Sequence, residues 1–143
     1  MHESLRRTGE NCCGVTGLAL AHFIESGALT RHLARASRTY SARRAALVGA
    51  LRSRPTLMDR PGVDLAGIEA GLHVVLRLPD HADDDAIATE LGTRGIAVPG
   101  LGPYRTDAAG PRGLMFGYAQ LPETQADAVA GAIAEVVGRH LAR

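Results

Sequence analysis

The chain has 143 residues, of which 45% are apolar and 22% charged, and its formal net charge is +1. That length is enough for one domain with a hydrophobic core, and the composition excludes a chain that is disordered throughout. The two cysteines are adjacent, at positions 12 and 13, which excludes a disulfide framework and a zinc-ligand pattern, and no apolar run is long enough to indicate a membrane span. Free thiols without a secretory signal predict a cytoplasmic protein.

The first half of the chain reads as mostly helical. Its predicted elements are an irregular segment over residues 1–14, a short helix from Thr16 to Gly27, a long helix over Leu29–Arg52 and a breaker-rich link over Arg54–Gly62. Glycine after a helical stretch favours a C-terminal cap, and apolar residues at steps of three and four trace one face of the long helix. We expect one domain over residues 15–143.

The second half alternates strands and helices. Its predicted elements are a strand over Gly71–Leu78, a helix over Asp80–Gly95, a short strand over Ile96–Val98, a loop over Pro99–Pro111, a strand over Gly113–Ala119 and a helix from Pro122 to about Leu141. Prolines and glycines separate these elements, and β-branched residues and leucines mark the strand over Gly71–Leu78. The order predicts an α+β fold, a two-layer sandwich in which helices cover a small sheet.

Three consecutive aspartates, Asp83, Asp84 and Asp85, open the first helix of this half. Acids in the first turn of a helix interact favourably with its dipole. Consecutive helical positions point in different directions and do not converge on one cation, so we interpret them as a charge effect and predict no metal site.

All sixteen basic residues counted as Lys or Arg are arginine, so the chain contains no lysine. A Schiff base with an aldehyde cofactor needs a lysine amine, and so does a Walker A phosphate loop. The chain by itself therefore supplies neither.

Positive charge is concentrated in the first part of the chain. Residues 1–60 hold ten arginines and four acids, whereas residues 61–143 hold six arginines and eleven acids. Arg38, Arg43 and Arg44 of the long helix could bind phosphate or nucleic acid. No aromatic residues interleave with them, so a solvated face or a surface that docks another domain is the favoured interpretation.

Several collinear segments carry a family resemblance. They are Leu20–Gly27 (LAHFIESG), Arg31-His32, Arg38–Arg44 (RTYSARR), Ala70–Pro79 (AGLHVVLRLP), Arg94–Val98 (RGIAV) with Tyr104, Gly113–Ala119 (GLMFGYA) and Leu121–Glu123 (LPE). In this order, from about Leu18 to Leu141, the chain resembles the C-terminal part of MocR-type regulators. These are GntR-family proteins with an N-terminal winged helix-turn-helix and a C-terminal aminotransferase-like domain.

The resemblance implies the small domain of a fold-type I aminotransferase. In the intact family, that domain helps close a pyridoxal phosphate (PLP) site and dimerises, and ligand-driven closure is reported to the DNA-binding domain. The PLP lysine and the residues that hold its phosphate lie in the large domain, so the resemblance implies that this chain starts just before the small domain. We expect no covalently bound PLP. The expected partners are the missing large domain or a homo-oligomer, and a small amino-acid-like ligand, with neither DNA nor membrane bound directly.

The resemblance also implies candidate ligand-binding residues. Fold-type I aminotransferases commonly bind the substrate carboxylate with an arginine of the last strand, because a guanidinium matches a carboxylate bidentately. Met115 stands at that position here. Arg112, three residues earlier, is the candidate substitute, and Tyr104 and His73 are further candidates. A solvated loop arginine, a packed loop tyrosine and a strand histidine are the structural alternatives.

Three functions remain open at this point. The first is a non-catalytic small domain, truncated or standing alone, from a PLP-binding, ligand-sensing transcriptional regulator. The second is enzymatic: the chain completes a PLP aminotransferase site in trans, or performs lysine-free chemistry with His73, Tyr104 or Arg112. The third is a purely structural interaction module. The sequence itself supports no catalytic residue for any of these three functions.

Overall fold

The computed structural model describes residues 14–67, 71–107 and 110–142. The chain divides into two compact units, residues 1–38 and residues 39–143. The irregular segment predicted over residues 1–14 lies outside the described residues, except for Gly14, where the first helix begins. The predicted domain bounds therefore stay a prediction.

The first unit contains helix α1, Gly14–Glu25, and the beginning of helix α2, Ala28–Arg52. Gly27 separates them with a φ of 70°, the left-handed conformation that favours glycine after a helix, and its N–H donates to the carbonyl of Ile24 at 3.0 Å. Both helices were predicted to within about two residues. No residue of α1 is buried in the described structure.

The second unit contains a three-stranded antiparallel sheet in the order β1-β2-β3. The strands are β1, Asp64–Ala66, β2, His73–Leu78, and β3, Arg112–Gly117. In the register, Leu76 lies opposite Leu65 on one side and opposite Leu114 on the other. At the two ends of the central pairing, His73 faces Gly117 and Leu78 faces Arg112.

One face of this sheet forms the core with the helices of the unit. Alternate residues of β2, Val74, Leu76 and Leu78, are buried, as a strand with one covered face requires. The helices are α3, Pro55–Met58, α4, Asp84–Thr93, and α5, Ala126–His140, with 3₁₀ turns at Gly102–Tyr104 and Glu123–Gln125. The end of α2 completes this core, which includes Leu47 and Leu51 of α2, Ile87 and Leu91 of α4, and Ile133 and Val137 of α5. This arrangement confirms the predicted α+β fold with helices covering a small sheet.

Two elements were not predicted. Helix α3 lies in the segment interpreted as a link, where Pro55 occupies the first turn and Leu57 is completely buried. A proline whose φ is already helical suits that position. Strand β1 has only three residues, which is too short for an alternating pattern to stand out.

The short strand predicted over Ile96–Val98 is wrong. The backbone beside β3 pairs from Leu101 to Pro99, with the Leu101 N–H donating to Gly113 and the Met115 N–H donating to Pro99. Proline has no N–H with which to return a bond to Met115, so the ladder stops there. The preceding residues form no strand, and a cavity of about 210 Å³ lies between Ile96–Val98 and β3.

No helix in the described part of the chain is long and apolar enough to cross a membrane.

Candidate functional site: a buried carboxylate and the groove beside it

Asp84 is the only charged residue that is fully buried among the described residues. It lies in the first turn of α4, directly after Asp83, whose side chain caps the helix by accepting the Ala86 N–H at 3.0 Å. Asp84 shares the inward face of α4 with Ile87 and Leu91, which follow at helical spacings of three and seven. A carboxylate in that position needs partners, because burying an unpaired charge is costly.

The partners come from the loop that follows and from the start of β3. Nη1 of Arg105 lies 2.8 Å and 3.0 Å from the two carboxylate oxygens of Asp84. The backbone N–H groups of Leu101 and Gly113 donate to Oδ2 at 3.0 Å and 3.2 Å, and Nη1 of Arg112 lies 3.5 Å from Oδ1. We call these five residues the Asp84 latch.

The latch keeps Asp84 ionised. Burial by itself would raise the pKa of this carboxyl, but the hydrogen bond from Arg105, the two backbone N–H groups and the Arg105 charge outweigh it and hold the pKa below its ordinary value. The carboxylate therefore stays a strong acceptor at neutral pH.

The latch also joins the loop to the sheet. The Leu101 N–H is shared between Asp84 and the Gly113 carbonyl, which lies 2.9 Å away. Gly113 permits close approach on both sides, because a Cβ at that position would lie 2.6 Å from the carbonyl oxygen of Leu76 in β2 and 3.1 Å from Cδ1 of Leu101 in the loop. Asp84 thus takes the Gly113 N–H that a regular antiparallel ladder would pair with Leu101.

An open groove of about 470 Å³ lies at the end of the sheet, next to the latch. Its charged or polar lining comes from Asp64, Arg77, Asp80, His81 and Arg112, and its remaining lining consists of Pro61, Gly62, Leu78, Pro79 and Pro111. Arg112 therefore belongs to both features: its Nη1 lies 3.5 Å from Asp84, and the residue is part of the groove lining.

The structure does not bring the three predicted ligand-binding residues together. Arg112 begins β3, whereas His73 pairs with Gly117 at its other end, five residue steps or roughly 17 Å away. Tyr104 is exposed, in the 3₁₀ turn next to Arg105. Met115, at the position of the usual carboxylate-binding arginine, is partly buried. One small ligand cannot contact both Arg112 and His73.

Sequence reasoning missed Asp84 and Arg105. A signal for Asp84 was present, since an aspartate spaced three and seven residues before two core residues predicts an acid on the buried face. Arg105 stands within a glycine- and proline-rich loop, where no periodicity indicates which way a side chain points. Arg43, grouped in the sequence with possible phosphate-binding arginines, donates to the carbonyl of Ala119 and so supports the fold.

The chain's own residues do not fit PLP as a covalent cofactor. PLP enzymes form an imine with a lysine amine, and the sequence contains no lysine. No group of three potential metal ligands among His, Cys, Asp and Glu comes together in the described residues.

Comparison with known proteins finds two HTH-type transcriptional regulators to which the chain is similar in sequence. The chain is 36% identical over 110 residues to the HTH-type pyridoxine biosynthesis transcriptional regulator PdxR of Corynebacterium glutamicum, covering 77% of this chain. It is 30% identical over 106 residues to the uncharacterized HTH-type transcriptional regulator YhdI of Bacillus subtilis, covering 74% of this chain. In both cases, the match spans only 22% of the regulator. No family model matches the chain.

Solved structures agree on the fold. A multiple substrate aminotransferase from Thermococcus profundus matches 85% of this chain with a TM-score of 0.74, and a Pyrococcus horikoshii kynurenine aminotransferase matches 97% with a TM-score of 0.79. Each is 21% identical, and the match covers 29% and 34% of those chains, respectively. These matches identify the fold as that of the small domain of a fold-type I aminotransferase.

Proposed function

From the premise that the chain is homologous to the C-terminal part of MocR-type HTH regulators, we propose that it is a non-catalytic aminotransferase-like small domain that works against a large domain. In an intact regulator of this type, it would form part of a PLP-binding, ligand-sensing unit. The chain spans about a fifth of the regulators it matches, so most of such a protein lies outside this sequence.

The observation that carries the proposal is the apolar surface of α1. Val15 and Leu18 are 77% and 75% exposed, and Leu20, Phe23 and Ile24 are also exposed. A helix that is hydrophobic around most of its circumference is normally buried. Soluble proteins seldom leave such a surface uncovered, so α1 fits a helix that packs against further protein.

The absence of lysine supports a non-catalytic role for the chain alone. When PLP is bound elsewhere, its imine chemistry must use an amine from another segment or chain. This chain would then contribute packing, closure and ligand contacts. The separation of His73 from Arg112 favours Arg112, rather than a combined His73–Tyr104–Arg112 site, as the residue that contacts a ligand carboxylate.

Co-purification with a complementary large domain tests the proposal. The probe is the Corynebacterium glutamicum regulator with its segment homologous to this chain deleted. We expect the two to elute together, and we expect the double variant Leu18→Asn/Phe23→Asn to lose the complex because it makes the apolar face of α1 polar. Thr16→Asn, on the same helix, is the matched control.

Two results would change the conclusion. A chain that remains monomeric, binds no hydrophobic dye and does not elute with the large domain would contradict the docking role. A mixture that transfers amino groups would favour the alternative, in which the chain completes an aminotransferase site in trans.

A further inference from the structure

The cavity between Ile96–Val98 and the end of β3 shares no lining residue with the groove beside the latch, and its volume is about 210 Å³. Its lining contains no charged side chain, and Gln125 is the only side chain in it with a hydrogen-bonding group. The largest lining side chains are apolar: Leu47, Ile96, Val98, Phe116, Leu121 and Val129. An apolar cavity of about 150 Å³ can bind benzene, so this one has room for an apolar side chain of that size.

The segment Ile96–Val98 is held by different elements at its two ends. The Ile96 N–H donates to the carbonyl of Leu91 in the last turn of α4, and the carbonyl of Pro99 accepts the N–H of Met115 in β3, each at 3.0 Å. Because Pro99 has no N–H, the ladder with β3 ends at this residue. The segment therefore lies apart from the end of β3, and the cavity opens between them.

Gly117 presents an unpaired sheet edge to this cavity. The carbonyl of Gly113 and the N–H of Met115 both bond on the side of β3 away from β2, and every second residue of a strand directs its backbone groups to the same side. The register of Gly100 opposite Leu114 would place Ala97 opposite Gly117. No hydrogen bond among the described residues joins these two, so the N–H and carbonyl of Gly117 form an edge that a further strand can pair with.

The unpaired edge and the cavity match the two parts of an extended peptide. A peptide residue that pairs with Gly117 does so through its own N–H and carbonyl, and the next peptide residue then lies opposite Phe116. Successive strand residues point to opposite faces, so this second residue faces the side where Phe116 is buried, at 3% exposure, and where the cavity lies. In strand addition, backbone hydrogen bonds supply affinity and such side-chain pockets supply specificity.

We propose that this edge of the sheet binds an extended peptide segment of a partner protein, with one leucine-sized apolar side chain in the cavity. The backbone of the segment pairs with Gly117, and its apolar side chain packs on Leu47 and Phe116. A peptide suits the site better than a simple apolar molecule, because a peptide residue matches the donor and the acceptor of Gly117 together. An ionic ligand would lie unpaired against this uncharged lining, which is costly.

This surface is separate from the docking role proposed for α1. Every residue that lines the cavity belongs to the unit formed by residues 39–143, whereas the proposed large-domain contact uses Gly14–Glu25. The experiment uses the full chain without a large domain, so failure of docking and failure of peptide binding give separate results.

The test is a titration of the isotopically labelled chain with acetyl-Ala-Leu-Ala-amide, followed through the amide signals of residues 95–98 and 115–117. We expect saturable shifts at these positions, including a downfield shift of the Gly117 amide proton as it becomes a donor. Acetyl-Ala-Ala-Ala-amide should bind roughly tenfold more weakly, because it lacks the leucine side chain. The leucine peptide N-methylated on both alanines should bind roughly fivefold more weakly, because it cannot donate to the Gly117 carbonyl.

A pair of variants tests the cavity itself. Val129→Phe should abolish the shifts caused by the leucine peptide, because the ring fills the cavity from α5. Ala128→Phe is the matched control: it adds the same ring at the exposed neighbouring position, outside the lining, and should keep the binding. The comparison of the three peptides uses the unaltered chain, so it does not depend on how well either variant folds.

Four outcomes would overturn the proposal. One is the absence of saturable shifts with the leucine peptide, and another is equal binding of its N-methylated form. Equal binding of isoamyl alcohol, which has the branched side chain without a peptide group, would make the cavity a site for small apolar molecules. Shifts of the same signals on raising the concentration of the chain alone would assign the edge to a second copy.

Discussion

Two groups of charged residues in the second unit differ both in burial and in geometry. In the Asp84 latch, one nitrogen of Arg105 contacts a fully buried carboxylate, and the Arg105 side chain is only 10% exposed. In the network between α4 and α5, both terminal nitrogens of Arg94 make parallel hydrogen bonds of 3.0 Å to Glu135, with side chains 31% and 57% exposed. The network thus has the more regular bidentate arrangement, and the latch has the lower exposure to water.

The α4–α5 network extends beyond this pair. Glu90 contacts His140 at 2.9 Å, and Arg139 also contacts Glu90. The hydrogen bond from His140 is the main reason that the pKa of Glu90 lies below its ordinary value, and the one from Arg94 is the main reason for the lowered pKa of Glu135. Water and salt reach these side chains, which weakens each pair.

This difference indicates that burial decides how much a carboxylate–arginine contact contributes to the stability of the fold. Water can replace a lost partner at Glu135 but not at Asp84. Removing one member of a buried pair leaves the other charge without compensation, whereas removing one member of an exposed pair leaves it hydrated.

The largest effect is expected for Asp84→Asn. The substitution leaves Arg105 without a compensating charge in a nearly buried position, and we expect a loss of about 3–5 kcal/mol in the free energy of unfolding. Urea denaturation measures it. The matched control is Asp85→Asn, because Asp85 is 66% exposed and only approaches Arg105 to 4.0 Å. Equal losses for the two variants would contradict a special role for the buried carboxylate.

An intermediate effect is expected from acid. The folded pKa of Asp84 is lowered, so its contribution to stability is present above the unfolded-state pKa of about 3.9 and is lost as the pH falls through the lower folded value. Thermal unfolding at a series of pH values from neutral into this range should show the loss. Asp84→Asn should be less stable at neutral pH but show a flatter acid limb, and parallel curves for the two proteins would argue against the assignment.

The smallest effect is expected for Glu135→Gln in the exposed network. We expect a decrease in stability well below that of Asp84→Asn, and one that disappears in roughly 1 M salt, where charges are screened over about 3 Å. Chemical denaturation at low and high salt measures it. A decrease that persists in high salt would show that the network stabilises the fold by more than exposed charge pairing.

Much of the fold followed from local patterns. Helices α1 and α2 and strands β2 and β3 are apolar-patterned segments bounded by glycine or proline, and they lie close to their predicted positions. Helix α3 and strand β1 depend on burial of a few residues against the rest of the unit, which short patterns do not reveal. Ile96–Val98 has strand-like composition, but its pairing depended on an N–H that Pro99 lacks.

The candidate site was predictable only in part. Arg112 followed from the family resemblance, whereas its relation to Asp84 requires two segments 28 positions apart to meet. The groove beside it combines residues from three stretches, around positions 62, 79 and 112. No local pattern indicates that such separate stretches form one surface.

The three aspartates at the start of α4 separate what the sequence determined, the start of a helix, from what only the tertiary structure determined, the role of each aspartate. Their position by itself indicated a helix start, because acids favour the positive end of the helix dipole, and a helix does begin there. Their roles differ because successive helical residues are about 100° apart around the axis. Asp83 caps the backbone, Asp84 points into the core toward Arg105, and Asp85 is exposed. Only the packing of α4 against β3 and the loop decided which of the three identical side chains became the buried one.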